Sequence, residues 1–229
     1  MNALVLNGSP KGEYSITLQT SLYLEKKFPE HKFQFLHAGQ RIRAFEKDFS
    51  TAVNAITDSD LIIFSYPVYT FIAPSQLHRF IELLKDSGLD VSGKFATQIT
   101  TSKHFYDVTA HKYVQDNCQD MGMKYIKGLS ADMDDLLTES GQKEAKEFFK
   151  YVCWCIEHDI YETIPKYTVD PKHLPVSAAA PSRDKKSRDV VIVTDCTEDD
   201  KQLKNMIDRF RAVLKFNSRI VNISEYPLK

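Results

Sequence analysis

The sequence predicts an α/β protein: a doubly wound, five-stranded parallel sheet, then a Pro-rich linker and a C-terminal β-α-β tail. Three observations carry this expectation. Short, nearly all-apolar runs such as Leu61-Ile62-Ile63-Phe64 suit strands covered on both faces. These runs alternate with stretches of helical pattern, as crossover connections between parallel strands require. The first run, Ala3-Leu4-Val5-Leu6-Asn7, passes through a small polar turn directly into an amphipathic segment.

In chain order, strands are expected at Ala3–Asn7, Lys32–His37, Leu61–Tyr66, Phe95–Thr101 and Tyr125–Leu129. Helical patterns fill the intervals at Ile16–Phe28, Phe49–Thr57, Pro74–Lys85 and Val108–Met121, and a long one runs from Glu139 to about Ile160. Pro74 suits a helix start, where its missing N–H would have had no intrahelical acceptor. Beyond Ile160 the composition changes. Pro165, Pro171, Pro175 and Pro181, the Ser177-Ala178-Ala179-Ala180 run and the charged Arg183–Lys186 read as an extended linker. The expected organisation is therefore a domain over 1–164, a linker over 165–188 and a tail over 189–229. The tail carries a strand (Asp189–Thr194), a helix (Asp200–Lys215) and a strand (Arg219–Ile223).

That tail reads as the start of a second, degenerate or incomplete copy of the opening unit. Val5 and Phe35 correspond across a thirty-residue step, and Val191 and Val221 repeat it. Its turn, Asp195-Cys196-Thr197-Glu198-Asp199-Asp200, has no glycine and is strongly acidic, so no second anionic cofactor is expected there. One helix and two strands bury little core by themselves, so the tail is expected to pack on another surface.

Composition narrows the function classes. Of 229 residues, 42% are hydrophobic and 27% charged, as in a globular chain, and the net charge of −1 gives no basic face for nucleic acid. No apolar run approaches the ~18 residues that a membrane span needs. The N-terminus enters a strand at once, so no signal peptide is expected and the cytoplasm is the expected location. Cys153 and Cys155 flank Trp154 on different faces of a helix, and Cys118 and Cys196 stand alone. No metal site or disulfide is expected, as in a reduced intracellular protein.

The chemistry is expected at the carboxyl ends of the strands. After the first strand comes Gly8-Ser9-Pro10-Lys11-Gly12-Glu13-Tyr14-Ser15. Glycines bring the backbone close to an anion, Ser9, Ser15 and Thr17 offer hydroxyls, and the first amides of the helix near Ile16 point outward unpaired. The spacing matches neither the Walker loop nor the G-x-G-x-x-G fingerprint. With one basic residue, Lys11, the loop suits a terminal monoester phosphate such as that of FMN. The same composition also suits an ordinary βα turn. A second signal follows the third strand, where Pro67 and Pro74 stiffen a loop carrying Tyr69 and Phe71, flat surfaces for a planar ring system or packing groups for the core. A third is Thr100-Thr101-Ser102-Lys103-His104-Phe105-Tyr106-Asp107, after the fourth strand.

Over roughly residues 1 to 160 the chain resembles the flavodoxin-like NAD(P)H-dependent FMN reductases, and within them the relatives of iron–sulfur flavoproteins. The resemblance rests on Leu6-Asn7-Gly8-Ser9-Pro10-Lys11 with Ser15 and Thr17, on Tyr66-Pro67-Val68-Tyr69 with Pro74, Leu77 and Phe80, and on the third loop. It implies that Ser9, Lys11, Ser15, Ile16 and Thr17 hold the FMN phosphate. Pro67, Val68, Tyr69, Thr70 and Phe71 would line the isoalloxazine, with Thr101, Ser102, Lys103 and the residues up to Tyr106 closing its other side. His104 and Tyr106 would modulate the chemistry as donors near the ring. The region His37–Phe45 holds no cysteine where iron–sulfur relatives carry a cluster, so no iron–sulfur centre is expected. The third loop has Lys103-His104-Phe105-Tyr106 where these reductases commonly have a glycine pair.

The implied activity is transfer of hydride or electrons from NAD(P)H through noncovalent FMN to a quinone, free flavin or other small acceptor, in a homodimer or homotetramer. Two other readings stand beside it: a flavodoxin-type electron carrier, and a flavodoxin-like assembly domain without cofactor. The near-neutral charge argues against the carrier, because carriers of this kind use strong acidity to dock on basic partners.

Overall fold

Alternate residues of the central strands feed two separate cores. Leu4, Leu6, Ile62 and Phe64 belong to one apolar cluster, and Ala3, Val5, Leu61 and Ile63 to the other. This is the pattern of a sheet covered on both faces. A computed structural model describes residues 1–102, 107–163 and 186–225. The chain divides into two compact units, Met1–Lys166 and Tyr167–Lys229.

In the first unit the strands are β1 (Asn2–Asn7), β2 (Lys32–Leu36), β3 (Leu61–Pro67), β4 (Phe95–Ser102), β5 (Lys124–Tyr125) and β6 (Leu129–Asp132). They lie in the order β2-β1-β3-β4-β5, with β6 also on β4, and every pairing is parallel. The helices are α1 (Ile16–Lys27), α2 (Ile42–Phe45), α3 (Ser50–Thr57), α4 (Ser75–Asp86), α5 (Val108–Asp120) and α6 (Glu139–Glu157). Side chains of α1 and α6, including Leu18, Leu24, Phe149 and Val152, pack on one face. Those of α2 to α5, including Phe45, Ile56, Phe80 and Val114, pack on the other. The fold is therefore the doubly wound, flavodoxin-like α/β architecture that the sequence predicts.

The fifth strand differs from the expected continuous run Tyr125–Leu129. Ala96 pairs with Tyr125 and Ile99 with Leu129, so three steps along β4 face four along its neighbour. The extra residue is a bulge that splits the strand in two. Its cause lies in Gln98. The buried Gln98 amide accepts from the Tyr66 hydroxyl at 2.5 Å and donates to His111 O at 3.1 Å and to the Tyr125 hydroxyl. Gly128 passes so close to Gln98 that a Cβ there would lie 2.3 Å from its Cγ. The short helix α2, inside His37–Phe45, is also absent from the sequence reading.

The second unit holds β7 (Lys186–Thr194), α7 (Lys201–Val213) and β8 (Phe216–Asn222), with the two strands parallel. Val191 lies opposite Arg219 and Val193 opposite Val221, so from Asp189 onward paired residues are 28 apart in the tail and 30 apart between β1 and β2. Most of the expected linker, up to residue 185, lies outside the described residues, and β7 takes its last three positions. Among residues 189–225 every side chain is at least partly exposed. No helix among the described residues is long and apolar enough to cross a membrane.

Candidate functional site

Parallel pairing brings the carboxyl ends of β1, β3 and β4 to one edge. Asn7 lies opposite Ser65, and Pro67 opposite Thr101. Past those pairs the loops stay joined: Gly8 N–H donates to Ser65 O at 2.9 Å, and Val68 N–H to Thr101 O at 3.0 Å. The Thr17 and Thr101 hydroxyls share a 2.5 Å hydrogen bond between the start of α1 and the end of β4.

Asn7 organises the first loop. Its Oδ1 accepts from Ser9 N–H at 3.1 Å, and its Nδ2 donates to Gly12 O at 2.8 Å while lying 3.1 Å from His37 Nδ1. The turn closes through Gly12 N–H to Ser9 O at 3.2 Å and Ser15 N–H to Gly12 O at 3.1 Å. Gly12 sits at φ +56°, and a Cβ there would meet the Gln40 amide at 2.3 Å. From the neighbouring loop Gly39 approaches so closely that a Cβ would lie 2.3 Å from Gly8 O.

Within this cradle Ser9 is fully buried, and its Oγ accepts the Lys11 amide at 3.2 Å. Lys11 itself is exposed. Ser15 occupies the N-cap of α1, yet its side chain caps no amide. Ser15 is 2% exposed, and its hydroxyl has no hydrogen-bond partner among the described residues. An unpaired buried hydroxyl normally costs about 1–3 kcal/mol, so it calls for an acceptor or donor at this place. Ile16, the first residue of α1, is 48% exposed, whereas Thr17 is buried. A phosphate fits this donor set: one lysine, buried hydroxyls and a helix N-terminus with no side-chain cap.

The second loop leaves β3 through half-buried Pro67 and Val68 and presents Tyr69, Thr70 and Phe71 to solvent. Tyr69 and Phe71 are 42% and 43% exposed, so they are not the core-packing residues the alternative reading makes them. At the third loop, Thr101 is buried and Ser102 half-buried; Lys103, His104, Phe105 and Tyr106 lie outside the described residues.

Beside them Thr100, Ser102 and Asp107 of that loop form a polar cluster with His111 and Ser130, two residues that the sequence reading does not single out. Asp107 precedes α5, and its carboxylate accepts from Ser130 and, at 3.4 Å, from Ser102. His111 Nε2 lies 2.7 Å from the buried Thr100 hydroxyl and 3.8 Å from Asp107. Burial pushes the His111 pKa below the ordinary histidine value; Asp107 pulls it up and Lys127 adds to the lowering. Asn7 and Asp107 stand in the first and third motifs of the sequence, but no role is assigned to either there; His111 and Ser130 carry no signal beyond a polar residue in a helix and in a strand.

Comparison with known proteins follows from this geometry. A family model described as NADPH-dependent FMN reductase matches residues 1–132, more than half of the chain. No curated protein matches it. Among solved structures it is similar to an NADPH-quinone reductase from P. pentosaceus, at 15% identity over 66% of this chain and 97% of that one, TM-score 0.51. It is similar to an NADH:FMN oxidoreductase in its apo form, at 15% identity over 72% and 91%, TM-score 0.56. It is also similar to a flavodoxin from the domain Archaea, at 12% identity over 69% and 100%, TM-score 0.50. At such identities these likenesses establish the fold alone.

Proposed function

The chain belongs to the NADPH-dependent FMN reductase family, and we propose that it binds FMN noncovalently and passes reducing equivalents from NAD(P)H to a small acceptor. The observation that carries this reading is the unpaired Ser15 hydroxyl at the start of α1, on the same sheet edge as the exposed Tyr69–Phe71 turn. Bound FMN would supply hydride acceptance and onward electron transfer, chemistry that belongs to the cofactor.

The chain's own residues supply position and electrostatics. Ser9, Lys11, Ser15, Ile16 and Thr17 hold the phosphate, through hydroxyls, one ammonium and the helix amides. Pro67 to Phe71 line one side of the ring, and Thr101 and Ser102 lie on the β4 side. Asp107 ties Ser102 to Ser130, fixing the ends of β4 and β6 against each other. His111 is half-buried, and burial lowers its pKa, which favours the neutral imidazole at that edge.

Titration with FMN and with riboflavin tests the assignment. The phosphate cradle predicts that FMN binds about a hundredfold more tightly, the worth of two charge-assisted hydrogen bonds. Equal affinity for the two ligands overturns it.

The same rim favours association with a second copy. Tyr14, Val108 and Leu137 are 86%, 76% and 82% exposed, and they follow β1, β4 and β6 at the carboxyl edge. We read these three exposed apolar side chains, each following a strand at that edge, as contacts of a homodimer. Free thiols at Cys118, Cys153, Cys155 and Cys196 suit a reducing, cytoplasmic setting.

A further inference from the structure

Two backbone partners fix which way the Asn7 amide faces. Ser9 N–H can only donate, and it bonds Asn7 Oδ1 at 3.1 Å; Gly12 O can only accept, and it takes one proton of Nδ2 at 2.8 Å. The amide therefore ties one side of the phosphate loop to the other in a single orientation. Nδ2 carries a second proton, and Asn7 is fully buried. The partner of that proton is His37 Nδ1, 3.1 Å away.

This contact defines the imidazole as well. A ring nitrogen that accepts carries no proton, so the neutral ring holds its proton on Nε2. The exposed Glu13 carboxylate, 4.0 Å from Nε2, favours a proton there. The strands bring the pair together: Leu6 of β1 pairs with Leu36 of β2, and Asn7 and His37 are the next residue of each chain segment. The rest of the turn after β2 backs the same loop. Gly39 N–H donates to Asn7 O at 2.9 Å, and the Gln40 amide lies where a Cβ on Gly12 would fall. Without the His37 acceptor a buried N–H is stranded, which is costly. The amide escapes only by rotating, and rotation gives up the bond to Ser9 N–H or to Gly12 O.

We propose that His37 is a positioning residue for the phosphate loop: its Nδ1 takes the second Asn7 proton and so locks the amide that holds Ser9, Lys11 and Gly12 in the shape an anion needs. This rests on the flavin reading above. His37 acts through Asn7, so its effect belongs to the phosphate of a flavin and not to the ring system.

The test measures Kd for FMN and for riboflavin in the wild type, His37→Leu and His37→Asn. Leucine fills similar space without an acceptor, whereas an asparagine Oδ1 can stand in for Nδ1. His37→Leu should lose about tenfold or more of the preference for FMN over riboflavin, with the riboflavin Kd moved by less than about twofold. His37→Asn should keep the preference within about threefold of the wild type. A general loosening of the fold would instead weaken both flavins together and leave their ratio in place. Nitrogen NMR of the isotope-labelled, flavin-free wild type reads the bond directly and needs no variant to fold. His37 Nδ1 should be unprotonated and show scalar coupling to Asn7 Nδ2. A preference in His37→Leu within about twofold of the wild type, an asparagine variant as impaired as the leucine one, or a protonated Nδ1 overturns the proposal while FMN binding by the wild type stands. Equal wild-type affinity for the two flavins overturns the phosphate assignment, and this proposal with it.

Discussion

Ser15 carries a hydroxyl that the protein buries and leaves unpaired, and that is the reason to assign it to a phosphate. Ser15→Ala should raise the Kd for FMN about tenfold, close to 1.4 kcal/mol, measured by flavin fluorescence quenching. The flavin-free variant should melt higher than the wild type, because no internal hydrogen bond is lost and a buried unpaired hydroxyl is removed. Ser9→Ala with Lys11→Ala should abolish flavin retention, since it removes a buried hydroxyl and the loop's one cation. His111 gives a pH signature. Its folded pKa lies below the ordinary value of about 6.5, so as pH falls through that value the unfolded chain takes up the proton first and stability drops. The melting temperature should therefore decline from pH ~7.5 to ~5.5, and less so in His111→Gln. Burial also lowers the His78 pKa, which leaves a residual decline in that variant. At this scale the hydroxyl-rich loop is legible because serine and threonine after a strand are visible in the sequence. Asn7 is visible in the same motif but its role is not, because its bonds to Ser9 N–H and Gly12 O exist only once the turn has closed. The Asp107–His111 pair is hidden for a similar reason: its partners Thr100, Ser102 and Ser130 come from two strands that only the fold brings together.

Between the elements, backbone proximity decides what substitutions do. A Cβ on Gly39 would enter the carbonyl of Gly8, which is backbone and has nowhere to move. Gly39→Ala should cost about 1–3 kcal/mol by overpacking and should weaken FMN binding as well, because it displaces the phosphate loop. Phe149 of α6 offers the contrast. It is fully buried, with ring centroids 4.8 Å from Phe28 and 5.4 Å from Phe33, away from the carboxyl edge. Phe149→Ala should cost about 3–5 kcal/mol in denaturant unfolding and leave the FMN Kd of the folded protein unchanged. Helices and central strands were readable from period and apolar runs, and their ends shift by a few residues. The split fifth strand left one signal, Gly128 inside Tyr125–Leu129, since a glycine within a strand pattern marks a bulge or a close approach; the Gln98 side chain that it approaches is brought there only by the fold. In the tail the strand–helix–strand order was readable from the sequence, whereas the pairing register was not, since a repeat constrains spacing and leaves the hydrogen-bond pairing free.

At the largest scale, the doubly wound sheet of the first unit brings the described candidate residues of its three loops to one edge. The exposed rim of Tyr14, Val108 and Leu137 should make the protein elute as a dimer in light-scattering gel filtration. Charged substitution at Val108 and Leu137 should shift it toward monomer. Reductase and carrier readings separate in the same molecule, because a carrier's flavin is not reduced directly by nicotinamide. The most direct test of the account loads the purified chain with FMN, passes it through a desalting column and records its spectrum anaerobically before and after NADPH and, separately, NADH. The account predicts that flavin absorbance travels with the protein and is bleached by at least one of the two nicotinamides. Flavin that separates from the protein on the column, or that stays oxidised with both donors, would contradict it.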